Sequence, residues 1–143
     1  MINSVLVIDD DDVDQYIAKR ALKKWGFEGH LFQERDGLNA LEFLENYTNN
    51  ADQWAEQFPP TLILLDINMP RLDGFEFLEK FEKLREQIEG LNSSIVMMFS
   101  SSQREEDKTR ALSYDFVHDY ITKPLTQENL TGILHSVRLK ISG

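Results

Sequence analysis

Cysteine is missing from this chain. Its absence excludes disulfides, thiol chemistry and zinc–thiolate sites. Positive charge is scarce: 15 lysines and arginines face 25 acidic residues, a formal net charge of -10. No basic patch can then offset phosphate repulsion, which argues against direct binding of nucleic acid. The same balance suits a protein that binds cations or basic partner surfaces. Long apolar runs are lacking too. Nothing approaches membrane-spanning length, and no basic segment followed by an apolar run opens the chain. Neither membrane insertion nor a signal peptide is expected, and a cytoplasmic location is the default. No internal repeat or low-complexity segment appears.

What is present is an ordinary globular composition. With 143 residues, 41% of them apolar, one domain spanning residues 1–143 and burying a real core is expected. Leu62 to Leu65 is an uninterrupted apolar run that ends in Asp66-Ile67-Asn68-Met69-Pro70. Such a run reads as a strand buried on both faces, and Pro70 keeps it from continuing. Ser4 to Ile8 is a second strand of this kind and runs into Asp9-Asp10-Asp11-Asp12. Val13, Ile17, Ala21 and Trp25 then suggest one apolar helical stripe, ended by Gly26. Glu28 to Gln33 is a weaker strand, and Asp36-Gly37 turns into a helix facing inward through Leu38, Leu41, Leu44 and Tyr47.

Thr48 to Pro60 is the least readable stretch. Asn49-Asn50 reads as a break, with Trp54 and Phe58 as packing anchors in a short helical turn. Asp73 is placed to cap a long helix with the stripe Phe75, Leu78, Phe81, Leu84 and Ile88. Ile95 to Phe99 is a strand ending in Ser100-Ser101-Ser102, followed by a charged helix from Glu105 to about Tyr114. Asp119 to Thr122 is a short last strand, ended by Lys123-Pro124. Thr126 caps a final helix facing inward through Leu130, Ile133, Leu134, Val137 and Ile141. Strand–helix alternation of this kind implies an α/β fold: a doubly wound five-stranded parallel sheet with helices on both faces.

Ligands of such sheets bind outside the carboxyl ends of the strands. In the 2-1-3-4-5 order of a flavodoxin-like sheet, Asp9 and Asp10 lie beside Asp66, while Ser100 and Lys123 approach Asp66 from the other side. Crowded carboxylates repel unless a cation joins them, and an oxygen-only set favours a hard ion such as magnesium. Lys123 can neutralise a phosphoryl group and Ser100 can donate to it. Asp66 is the carboxylate placed to act as nucleophile.

The acidic pair, Asp66-Ile67-Asn68-Met69-Pro70 with Asp73-Gly74 after it, the hydroxyl Ser100 and Lys123-Pro124 together resemble the receiver domain of two-component response regulators. The resemblance covers nearly the whole chain and is to the stand-alone, chemotaxis-regulator-like type. It implies that Asp66 accepts phosphate from a histidine kinase or a phosphotransfer protein. It implies a magnesium site from Asp10, Asp66 and the backbone carbonyl of Asn68, with Asp9 helping through water. Ser100 and Tyr120 become a switch pair, Tyr120 rotating inward on phosphorylation. The face they alter, formed by the fourth helix, fifth strand and fifth helix, would bind a downstream protein. Asn68 and Ser102 would flank the path of attacking water. Lys123-Pro124 is expected to be a cis peptide.

This chain departs from the family pattern in a few places. Serine at 100 lacks the methyl of the commoner threonine. No glycine stands near Phe116, Leu125 replaces a common phenylalanine, and Thr48 to Pro60 and Asp73 to Glu89 are longer than a minimal receiver needs. Asp11, Asp12 and Asp14 read as a solvated helix-capping cluster. Ser101 and Ser102 compete with Ser100 for its role. His30, His118 and His135 lack ligand spacing. Two rival functions share the residues. A magnesium-dependent aspartyl phosphatase would want an aspartate where Asn68 stands, since an amide cannot transfer the proton. A flavodoxin-like binder without phosphochemistry would need a phosphate-cradling loop after the first strand, where four carboxylates stand instead.

Overall fold

A computed structural model describes residues 2–142. Five parallel strands form one sheet in the order β2-β1-β3-β4-β5. They are β1 (Ser4–Ile8), β2 (His30–Glu34), β3 (Leu62–Leu65), β4 (Ile95–Ser100) and β5 (Val117–Thr122). The helices are α1 (Asp12–Trp25), α2 (Gly37–Glu45), α3 (Tyr47–Trp54), α4 (Gly74–Gln87), α5 (Glu105–Leu112) and α6 (Gln127–Ser142).

The continuous apolar runs are explained by burial on two sides. Alternate residues of a strand point to opposite faces. Leu6, Ile8, Ile63, Leu65, Val96 and Met98 join one core with α2 and α4. Val5, Val7, Leu62, Leu64, Met97 and Phe99 join a second core with α1 and α6. The doubly wound, flavodoxin-like architecture expected from the sequence is therefore the one observed.

Several local expectations need correction. The inward face of α1 is Gln15, Ala18, Ala21 and Leu22, while Val13 is 63% exposed. Gln15 takes a core position because its amide nitrogen donates to the carbonyls of Asp9 and Glu34, both at 3.0 Å, and of Val7 at 3.2 Å. A buried amide with its donors satisfied costs little, and Ile17, Ala21 and Trp25 of the expected stripe still pack against the second core. In α2, Ala40, Leu41 and Leu44 face the core, and Leu38 is exposed.

Tyr47 belongs not to α2 but to α3, which runs straight through Asn49 and Asn50. Asn50 breaks nothing: it is buried and donates to the Phe43 carbonyl at 2.6 Å. Trp54 and Phe58 are anchors as expected, Trp54 packing on His30 and Phe32, and Phe58 on Phe43 and Tyr47. A 3-10 turn, Ala55–Gln57, follows α3.

Helix α4 stops at Gln87, so Ile88 lies just past its end, before a 3-10 turn at Glu89–Ser93. Helix α5 ends at Leu112, two residues short of Tyr114, and β5 starts earlier than expected, at Val117. Thr126 does cap α6, its hydroxyl accepting from the Asn129 N–H at 3.0 Å, but Ile141 is exposed. Helix α3 is longer than the short helical turn expected in this stretch and shifts the helix count, so the face expected around the fourth and fifth helices is built from α5, β5 and α6.

Candidate functional site

The site forms where apolar strands run out. Asp66 continues the β3 ladder by one residue, its N–H donating to the Ile8 carbonyl at 3.0 Å. Asp9 does the same for β1, donating to the Glu34 carbonyl at 3.1 Å. Both carboxylates are buried, and Asp10 is exposed beside them. Ligand atoms of Asp9, Asp10 and Asp66 lie within 4.8 Å of one another.

The backbone around Asp66 is tightly held. Gly74 opens α4 against it, and a Cβ at that position would stand 2.5 Å from the Asp66 carbonyl oxygen. The Gly74 N–H donates to the Ile67 carbonyl at 2.8 Å. Asp73 then caps α4 in a reciprocal box with Glu76. Arg71, at a left-handed φ of 65°, reaches back to buried Asp36 with nitrogen–oxygen distances of 2.6 and 3.1 Å.

Lys123 enters from the end of β5, next to a cis bond to Pro124. Its N–H donates to the Ser100 carbonyl at 2.8 Å, so β4 and β5 together position it. The ammonium lies 2.7 Å from Asp14 Oδ2, 2.8 Å from Asp9 Oδ2 and 3.5 Å from Asp66 Oδ2. Asp14 is therefore not part of a solvated cap. Asp11 and Asp12 are: Asp11 accepts from the Val13 N–H at 2.8 Å, and exposed Asp12 pairs with Arg35.

Burial and the neighbouring Asp9 charge push the Asp66 carboxyl up to about 6. Burial also raises Asp9, against the opposing pull of Lys123 and the Asp11 N–H. Burial disfavours the Lys123 charge, but Asp14 and Asp9 overcome it and raise its pKa. Asp9 Oδ2 is buried and faces Lys123 as an ion pair outside hydrogen-bond geometry, so it has no hydrogen-bond partner. An oxygen-only donor set and an excess of negative charge together fit a hard divalent cation.

Sequence reasoning misread Asp14, taken for a solvated cap residue, and did not foresee the link that Ser102 makes. Its N–H donates to buried Ser100 Oγ at 3.2 Å, and its carbonyl accepts from the Tyr120 hydroxyl at 2.8 Å. Among the described residues no hydrogen bond joins Ser100 to Tyr120 directly, and Ser102 bonds to both. Tyr120 is already buried here. Asn68 is exposed in the loop, and its backbone N–H supports the Asp66 carboxylate. The histidines stand apart from the site. His30 stacks on Trp54, and His118 meets Ser136 Oγ at 2.5 Å.

The family model for the response regulator receiver domain matches residues 5–135. The chain belongs to that family. A two-component response regulator from Cytophaga hutchinsonii superposes with a TM-score of 0.80 at 31% identity, over 95% of this chain and 96% of that one. Response regulator Rcp1 of Synechocystis is 28% identical over 134 residues, 93% of this chain and 84% of Rcp1. A manganese-bound structure of Rcp1 has a TM-score of 0.68, covering 94% of this chain and 91% of that one. The probable methanogenesis regulatory protein FilR2 of Methanothrix harundinacea is 28% identical over 94% of this chain and 80% of its own length.

As a receiver, the protein is a phosphorylation-controlled signalling module and not an enzyme, which removes both rival functions. Receiver domains are phosphorylated by histidine kinases. Asp9, Asp10 and Asp66 are the receiver's acidic metal-binding triad. Among the described residues no helix is long and apolar enough to cross a membrane.

Proposed function

We propose that Asp66 is the phosphoacceptor of a cytoplasmic receiver domain. One observation carries this reading. Asp66 is a buried strand-end carboxylate with an ammonium at 3.5 Å on one side and the Asp9–Asp10 pair on the other. That arrangement gives a nucleophile both an electrophile-stabilising cation and a metal cradle.

The donor is a histidine kinase or a histidine phosphotransfer protein. An Asp66 carboxylate oxygen attacks phosphorus, the bond from phosphorus to the donor nitrogen breaks, and its electron pair leaves with the imidazole. Lys123 then neutralises one phosphoryl oxygen. Magnesium is the ion proposed, held by Asp9, Asp10, Asp66 and the Asn68 backbone carbonyl. When bound, it supplies positive charge to the phosphoryl oxygens. Ser100 donates its hydroxyl to the phosphoryl group, and Tyr120 responds through Ser102. The Ser102 hydroxyl donates to Asp107 Oδ2 at 2.6 Å, which carries the change into α5. The α5–β5–α6 face is thereby altered for a downstream protein.

Incubation with acetyl phosphate and magnesium, read by intact mass, tests this reading. One phosphate on the wild-type chain and none on Asp66→Asn is the expected result. Undiminished labelling of Asp66→Asn would overturn it.

A further inference from the structure

Lys123 has a carboxylate partner that phosphoryl transfer to Asp66 does not require. Asp14, in the first turn of α1, holds the ammonium at 2.7 Å, against 2.8 Å for Asp9 and 3.5 Å for Asp66. Only the contact to Asp14 has hydrogen-bond geometry. Both groups are largely shielded, with side-chain exposures of 18% for Asp14 and 13% for Lys123. Asp9 is itself fixed, since its other oxygen accepts from the Asp11 N–H at 2.9 Å. Asp14 and Asp9 together therefore hold the ammonium closer than Asp66 does, and Asp14 is the one of the two outside the acidic triad. The ammonium leans away from the nucleophile.

We propose that Asp14 is a positioning residue that holds Lys123 off Asp66 and so slows phosphoryl uptake. The inference rests on the reading of Asp66 as phosphoacceptor. As the new phosphorus–oxygen bond forms and the donor departs with its electron pair, charge spreads over three phosphoryl oxygens. Lys123 must reach one of them. To do so it gives up a charge-assisted hydrogen bond, the stronger kind, in a shielded setting. Direct repulsion of an incoming anion by Asp14 is the competing explanation. The two effects separate cleanly: the hold acts only through Lys123, whereas repulsion persists without it.

The test is a double-mutant cycle on the rate of labelling by acetyl phosphate at saturating magnesium. Asp14→Asn, and Asp14→Ala as a second variant, should label roughly fivefold faster than wild type, as expected for coupling between contacting residues. Asp14→Glu keeps the anion and should stay near the wild-type rate. In a Lys123→Met background, Asp14→Asn should make little difference. Acylation of the Lys123 amine, followed by mass spectrometry, should rise in Asp14→Asn and not in Asp14→Glu. Equal rates for wild type and Asp14→Asn would overturn the inference, as would the same acceleration without Lys123. A wild-type chain that takes up no phosphate overturns the phosphoacceptor reading itself, and the inference with it. That result is read before any variant is made.

Discussion

The Tyr120 hydroxyl donates to the backbone carbonyl of Ser102 at 2.8 Å, tying an aromatic ring of β5 to the loop that leaves β4. The Ser102 N–H in turn rests on the Ser100 hydroxyl. If Ser100 rotates toward a phosphoryl group, it must release or drag Ser102, and Tyr120 feels the change. Removing the tyrosine oxygen should cost about 1 kcal/mol, a typical single hydrogen bond. Tyr120→Phe is therefore expected to lower the urea midpoint modestly and to speed amide exchange across residues 101–104. Labelling at Asp66 should survive.

Asp66 carries a penalty for being charged. Its folded pKa of about 6 lies above the model-peptide value of 3.8, so the folded state binds more protons than the unfolded state between those values. Stability should thus fall as pH rises from about 4 to about 6 in metal-free protein. At pH 7 with chelator present, Asp66→Asn should be more stable than wild type by up to about 3 kcal/mol. Magnesium should narrow the gap. Urea titrations with chelator or with magnesium, at pH 4 and pH 7, check both signs.

Lys123 is the only cation paired with Asp9 among the described ion pairs. Lys123→Met leaves that buried carboxylate unpaired, which should cost about 3 kcal/mol at pH 7. The loss should shrink as pH falls, because Asp9, already raised by burial, escapes the penalty by taking a proton. Chemical denaturation across a series of pH values below 7 reads this directly.

Gly74→Ala places a methyl 2.5 Å from the Asp66 carbonyl oxygen. Backbone must move to admit it, so a loss of about 2 kcal/mol or more is expected. The displaced peptide is the nucleophile's own, and slower labelling should accompany the lower melting temperature.

The strands were legible because a sheet covered on both faces needs unbroken apolar runs. Asp9, Asp66, Ser100 and Lys123 were legible because such runs end abruptly in polar groups. What hydropathy misread were polar side chains with inward-facing hydrogen bonds. Gln15 and Asn50 occupy buried positions through backbone carbonyls, and no apolar periodicity records that. Asp14 was out of reach for another reason. Its partner lies 109 residues away, and the contact depends on how α1 is rotated against the end of β5.

The two flanks of Asp66 differ in stiffness. Toward α4 the chain is clamped backbone to backbone at Gly74, with a helix cap behind it and an arginine latch at Arg71. Toward β4 and β5 it is bounded by side chains that turn about single bonds: a serine hydroxyl, a tyrosine and a lysine with a choice of anions. A disturbance at Asp66 meets a wall on the first side and levers on the second. Information written at this aspartate should leave through β4 and β5, with α4 serving as the anvil.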